Sequence, residues 1–261
     1  MNRWEDIDRE KRKFSLAFTR KIKRALVEQV DIIGQLLLQD NIEDVINRAE
    51  NLINKDEIEK IFILLYQTVG IAFAKDKLRE FKSQLGQYIT KDEEQLLEDI
   101  WLQEMKKYAT TEAGRRIVSI TGSSKKEALK ILRRIINEVS IEEGIGIEAV
   151  RQKFQKYFYK QWNKGALYRA RRIATTEVLS AANKGGYEGA LATGVPMEKI
   201  WTVSKRPVKY ERHTAYGIDG MRRKMGERFP IGRCELMYPG DPLGTAEEVI
   251  NCHCGLMYEV I

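Results

Sequence analysis

Proline is absent from this 261-residue chain before position 196; all five prolines stand at 196, 207, 230, 239 and 242. Proline breaks helix interiors, so its absence predicts long uninterrupted helices, and its return predicts turns and strands. Cysteine is nearly as scarce. Three cysteines are odd in number and too few for a disulfide framework, which points to a reducing compartment with free thiols or thiolate ligands. Long apolar runs are missing as well: Leu36-Leu37-Leu38 and Ile61-Phe62-Ile63-Leu64-Leu65 fall well short of a membrane span. The opening Met1-Asn2-Arg3-Trp4-Glu5-Asp6 lacks the apolar core of a signal peptide, so the expectation is a soluble chain made in the cytoplasm, with no membrane partner. No nucleotide-binding glycine loop and no Ser-His-Asp set can be found.

What is present is helical periodicity. Phe14, Phe18, Ile22, Leu26, Val30, Ile33 and Leu37 recur every three or four residues. A second helix is expected from Asn41. A third is capped by Asp56 and runs to about Lys82. A fourth opens on the capping box Thr90…Glu93 and carries Leu96, Ile100, Trp101 and Met105. A short helix over 111–121 ends at Gly122, and Ser123-Ser124 cap the next. Gly144 and Gly146 break the pattern before helices over 147–158 and 165–191. The last of these carries small residues (Ala166, Ala170, Ala174, Ala181, Ala182, Ala190) that let another element come close.

After Gly194-Val195-Pro196 the texture changes. Residues 199–204 read as a strand, Lys205-Arg206-Pro207 as a turn, Asp219-Gly220 as a hairpin-type turn, and Phe229-Pro230-Ile231-Gly232 and Pro239-Gly240-Asp241-Pro242 as further turns. Residues 245–248 read as one helical turn, and 249–254 and 256–260 as strands. The fold expected is α+β: a mostly helical body over 1–164, then a small turn-rich α+β domain over 165–261, made of a helix over 165–192 and short strands and turns over 198–261.

Charge is uneven. Residues 151–190 hold nine Lys/Arg against Glu177 and Glu188, and 1–26 are also basic, whereas 27–150 are net acidic. Lys153, Lys156, Lys160, Lys164, Arg169, Arg171 and Arg172 are candidate DNA contacts, with Phe154, Tyr157, Phe158, Tyr159, Trp162 and Tyr168 available for stacking. The plainer reading is an amphipathic helix with an aromatic core face and a solvated basic face.

The chemistry-bearing residues gather near the end. On a strand, Cys252 and Cys254 would face the same side and could share a zinc ion, with His213 as third donor, Cys234 as fourth, and Asp219 and Asp241 in reserve. The alternative is small core thiols beside a hydrogen-bonded histidine. Asp219 and Asp241 each adjoin glycine, where aspartate commonly caps its own turn. With His213 they could instead hold a catalytic divalent ion for phosphodiester cleavage. Glu177 and Asn183 are expected to cap and hydrogen-bond at the surface, or Glu177 to form a buried pair with Arg171 or Arg172.

The series Arg172-Ile-Ala-x-Thr176-Glu177, Ala181-x-Asn183-x-Gly185, Ala192-x-Gly194, Trp201, His213, Asp219-Gly220, Phe229, Tyr238-Pro-Gly-Asp-Pro242 and Asn251-Cys-His-Cys254 resembles the phage Mu protein F-like family, the minor head or head-morphogenesis proteins of tailed bacteriophages. The resemblance covers roughly 165–261. This chain has Lys205-Arg206-Pro207-Val208-Lys209-Tyr210 where that family carries an Asp and an Arg, and His253 where Arg is usual. The resemblance implies a non-enzymatic virion component inside the head near the portal vertex, present in the host cytoplasm during assembly. Its implied partners are the portal protein, other head or scaffold proteins, and packaged DNA. The competing expectations are a metal-dependent nuclease using His213 with Asp219 or Asp241, and a sequence-independent DNA-binding module over 151–190.

Overall fold

The computed structural model describes residues 3–39, 42–53, 55–141, 152–156, 162–203, 213–214 and 216–261. The expected breaks at Gly144 and Gly146 and the turn at Lys205-Arg206-Pro207 lie outside them. The architecture is mostly helical, with a small antiparallel sheet region near the C-terminus. The helices are α1 (Arg3–Gln39), α2 (Ile42–Leu52), α3 (Asp56–Gln84), α4 (Lys91–Thr110), α5 (Gly114–Ile141), α6 (152–156), α7 (Asn163–Leu191) and α8 (Ala246–Val249). The strands are β1 (Met197–Thr202), β2 (Arg222–Lys224), β3 (Phe229–Ile231), β4 (Cys234–Leu236) and β5 (Gly255–Val260).

Two compact units emerge, and they do not follow a single cut at 164/165. One comprises 1–16, 62–113 and 172–261; the other comprises 17–61 and 114–171. Helices without proline are long enough for α1, α3 and α7 each to contribute residues to both.

In the second unit the predicted stripe of α1 is buried at Phe18, Ile22, Leu26, Val30, Ile33 and Leu37. Val45 and Ala49 of α2 and Ile117, Leu129, Leu132 and Ile135 of α5 are also buried. Helix α5 is one helix, not two. Gly122 sits inside it, and the hydroxyls of Ser123 and Ser124 donate back to the Ile120 carbonyl, at 3.0 and 2.8 Å, instead of capping a new start. A serine that bonds backward satisfies its hydroxyl without ending the helix.

In the first unit α3 and α4 form a hairpin. Thr90 accepts from the Glu93 N–H at 3.2 Å, and the Glu93 carboxylate accepts from the Thr90 N–H at 2.9 Å, as the capping box predicts. Trp101 and Met105 of α4 face inward, whereas Leu96 and Ile100 are 63% and 49% exposed. The inward stripe is set by Trp101, Met105 and Tyr108, and Leu96 and Ile100 fall beside it.

Helices α7 and α3 meet in a close backbone contact. A Cβ at Gly185 would lie 2.0 Å from the Gly70 carbonyl oxygen, and one at Gly189 would lie 2.2 Å from that of Ala74. Helix backbones meet here without side chains between them. The alanines foreshadowed a close approach, but these two glycines make it.

Three strands form a sheet in the order β2-β1-β5, all antiparallel; Ile200 pairs with Arg222 and Met257, and Trp201 with Leu256. The Asp219-Gly220 turn precedes β2, with the Met221 N–H donating to the Ile218 carbonyl at 3.0 Å. Phe229-Pro230-Ile231 is strand β3, not a turn. It pairs with β4, and Gly232 begins the turn of this hairpin. Proline is tolerated there because a two-stranded ribbon has open edges.

A Gly185→Ala substitution should lower unfolding stability by about 1–3 kcal/mol, as overpacking of a close contact does. Gly186→Ala, where a Cβ meets nothing nearer than 3.6 Å, is the control. Chemical denaturation of both variants checks this.

Candidate metal centre

Helix α7 supplies the wall on which the site is built. Thr176, Ser180 and Asn183 recur at helical spacing on one face and are all buried. The Thr176 hydroxyl oxygen accepts from the Asn251 N–H at 3.1 Å, and the Ser180 hydroxyl donates to the Gly240 carbonyl at 2.7 Å. The Asn183 amide donates to the carbonyls of Pro239 at 3.0 Å and Cys254 at 3.4 Å. Three short polar side chains thus bind two separate loops. Glu177, one step around the helix, is buried and accepts from the Tyr66 hydroxyl at 2.8 Å. The expected surface role of Asn183 is therefore corrected, and of the two readings of Glu177 the buried one holds: both are interior hydrogen-bonding groups.

The second loop carries the cysteines. Residues 249–254 are not a strand. After α8 the Cys252 N–H donates to the Val249 carbonyl at 3.2 Å, Asn251 adopts a left-handed φ of 55°, and β5 starts only at Gly255. Asparagine tolerates that conformation better than most residues. Cys252 and Cys254 still turn to one place, and His213 meets them. The ligand atoms of His213, Cys252 and Cys254 all lie within 4.8 Å of one another, and all three residues are fully buried. This cluster could hold a metal ion.

The imidazole Nδ1 is 3.2 Å from the Cys254 sulfur and 3.8 Å from that of Cys252. Its Nε2 is 2.9 Å from Glu248 Oε2. Glu248 is itself 5% exposed, and its other oxygen accepts from the Tyr216 hydroxyl at 3.2 Å. Trp201 stands edge-on to the imidazole, with centroids 6.0 Å apart at 85°. The Cys254 thiol is held well below its usual pKa, first by the hydrogen bond with Cys252 and then by His213, against the opposing effect of burial. Lys11 of α1 lies close enough for both thiols to act on it electrostatically; burial nonetheless pulls its pKa down to about 8. Its ammonium donates to Asn183 Oδ1 at 3.5 Å.

Cys234 is not part of the cluster. It is half-buried at the start of β4, and its sulfur accepts from the Thr245 N–H at 3.4 Å. Neither aspartate joins the cluster. Asp219 Oδ1 accepts from the Val203 N–H at 2.8 Å; Asp241 accepts from the N–H groups of Leu243 and Met237 at 2.9 and 2.8 Å. Both cap loops, as glycine-flanked aspartates commonly do.

Glu248 and Tyr216 escaped the sequence reading. Glu248 sits four residues before Cys252 and six before Cys254, in a helical turn that had been anticipated, and that spacing was the available signal. Lys199 escaped it too. It occupies an inward position of β1 between Met197 and Trp201, fully buried. Its ammonium donates to the Met237 carbonyl at 2.9 Å and lies 5.2 Å from the ring centroids of both Tyr187 and Phe229.

The basic residues are scattered in role. Lys156, Lys164, Arg171 and Arg172 are exposed and Lys153 is half-buried, while Lys160 lies outside the described residues. The Arg169 guanidinium donates to the Ser124 hydroxyl oxygen at 3.0 Å and lies over the Trp162 ring. Phe154 and Trp162 are buried in the second unit and Tyr168 is 62% exposed, so the helical core claims two of the aromatics expected to stack on bases.

No family model matches the chain, and no solved structure matches it. An uncharacterized protein of Bacillus subtilis strain 168, YqbB, is 34% identical over 90 residues, which are 34% of this chain and 30% of YqbB. The chain thus spans under a third of that relative's length. Among the described residues no helix is long and apolar enough to cross a membrane.

Burial lowers the Lys199 pKa to about 8, as it does for Lys11. The unfolded chain then holds these protons more tightly, so stability should rise as pH climbs from about 8 toward the unfolded lysine value. Above about pH 10 it should fall, because burial raises the hydroxyl pKa of Tyr238 and Tyr258. Urea midpoints measured across this range should show a smaller rise in Lys199→Met than in the parent.

Proposed function

We propose that this chain is a structural minor head protein of a tailed phage or prophage, associated with the portal and acting in head assembly and in DNA packaging or delivery. The observation that carries the reading is what the resemblance-bearing residues do. Thr176, Asn183, Pro239, Gly240, Asn251 and Cys254, with Ser180 between them, are joined by hydrogen bonds across a single interior. Residues that define such a series by closing a domain suit an assembly role. A hydrolytic role would require His213 or Cys254 to reach a substrate, and both are fully buried.

The ion proposed for the cluster is zinc. Two thiols and an imidazole form a soft donor set that suits a tetrahedral d¹⁰ ion, with one position left for a further ligand.

Contact with packaged DNA is part of the proposal. The unit of residues 17–61 and 114–171 holds 21 Lys/Arg against 14 Asp/Glu, which is the whole +7 of the chain. Such binding would be sequence-independent, with log affinity falling linearly against log salt. A salt-independent affinity would argue against phosphate contact.

Mass spectrometry of purified virions should find the chain, and it should co-purify with the portal protein. Its absence from virions of a phage that expresses it would remove the proposal.

A further inference from the structure

We infer that Glu248 and Tyr216 form the outer shell of the zinc centre, fixing His213 so that its Nδ1 joins the Cys252 and Cys254 sulfurs at the ion. This rests on the zinc reading above. An imidazole has two nitrogens, and the one that binds a metal must be unprotonated. Nδ1 faces both sulfurs, at 3.2 and 3.8 Å, so the proton belongs on Nε2. There, 2.9 Å away, Glu248 Oε2 is ready to accept it. A carboxylate behind a ligating histidine fixes the tautomer, orients the ring and raises its basicity.

The carboxylate is held in turn. Its Oε1 accepts from the Tyr216 hydroxyl at 3.2 Å. A Cβ at residue 232 would come within 2.8 Å of Glu248 Oε1 and 3.2 Å of the Tyr216 oxygen, so glycine there keeps this pair in place. Trp201 fixes the plane of the imidazole from its edge.

The order thiol, imidazole, carboxylate is equally that of an activated cysteine nucleophile. Two observations favour the ligand shell. Cys254 has no exposed surface. A second thiol converges on the same nitrogen, where a nucleophile needs one sulfur and a metal uses both.

The test uses the full chain, reduced and stripped of metal, titrated with Co²⁺ and then with Zn²⁺ in competition with a chromophoric chelator. The parent should bind one ion with thiolate-to-cobalt charge-transfer absorption. Glu248→Gln should bind about tenfold more weakly and Glu248→Ala roughly 10- to 100-fold more weakly. Both should keep the parent's charge-transfer intensity, because the sulfurs stay in place. Tyr216→Phe should shift affinity in the same direction by less, and Cys254→Ser should lose charge-transfer intensity. Metal-free melting curves of Glu248→Gln and Tyr216→Phe separate a folding defect from a binding defect. Equal affinity in the parent and both Glu248 variants overturns the outer-shell assignment. A parent that binds neither ion overturns the zinc reading beneath it. Rapid iodoacetamide labelling of Cys254 in the native chain that slows in Glu248→Gln overturns both in favour of a nucleophile.

Discussion

The backbone contact between α3 and α7 is the constraint from which the rest of its unit follows. Gly185 and Gly189 bring α7 against the carbonyls of Gly70 and Ala74 with no side chain between. That fixes the height and rotation of α7 on α3. Rotation decides which residues of α7 face the C-terminal loops, so Thr176, Ser180 and Asn183 are placed by a contact made further along the helix. The loops make turn and Asp241-capping hydrogen bonds of their own, and those three side chains tie them to the helix. Dispersion holds the helices, and side-chain-to-backbone hydrogen bonds transmit their position to the loops.

The cluster is the far end of that chain of support. Asn183 binds the Cys254 carbonyl while Thr176 binds the Asn251 amide, so both ends of the cysteine loop are pinned to one helix. Glu248 arrives from α8, His213 from the stretch before β2, and Trp201 from the central strand. Five separate segments meet at a buried point, where a polar atom needs a partner. Such a network is unforgiving: each member left without its partner would incur a desolvation penalty comparable to a full hydrogen bond.

Much of this was legible in the residues, and the exceptions have physical causes. The capping box at Thr90, the stripe of α1, the turn at Asp219-Gly220 and the convergence of His213 with Cys252 and Cys254 are local or compositional signals, and they hold. Gly122 misled because glycine inside a helix resembles a terminus when tertiary packing is unseen. Cys252 and Cys254 converge for a different reason than strand alternation, through the left-handed turn at Asn251. Cys234 was attractive only because few sulfurs exist in the chain. Glu248 and Lys199 were missed because burial of a charged side chain depends on partners far away in sequence, which one sequence does not reveal.

The turn at Gly232 carries a consequence for how this sequence can drift. Its φ of 58° and its nearness to Glu248 and Tyr216 impose two separate demands, one on the backbone and one on space. Asparagine would meet the first and violate the second. Among diverged descendants, position 232 should therefore stay glycine wherever 248 stays glutamate, and be released only in lineages that have abandoned the carboxylate. The hairpin turn and the cluster, nowhere adjacent along the chain, are inherited as one character.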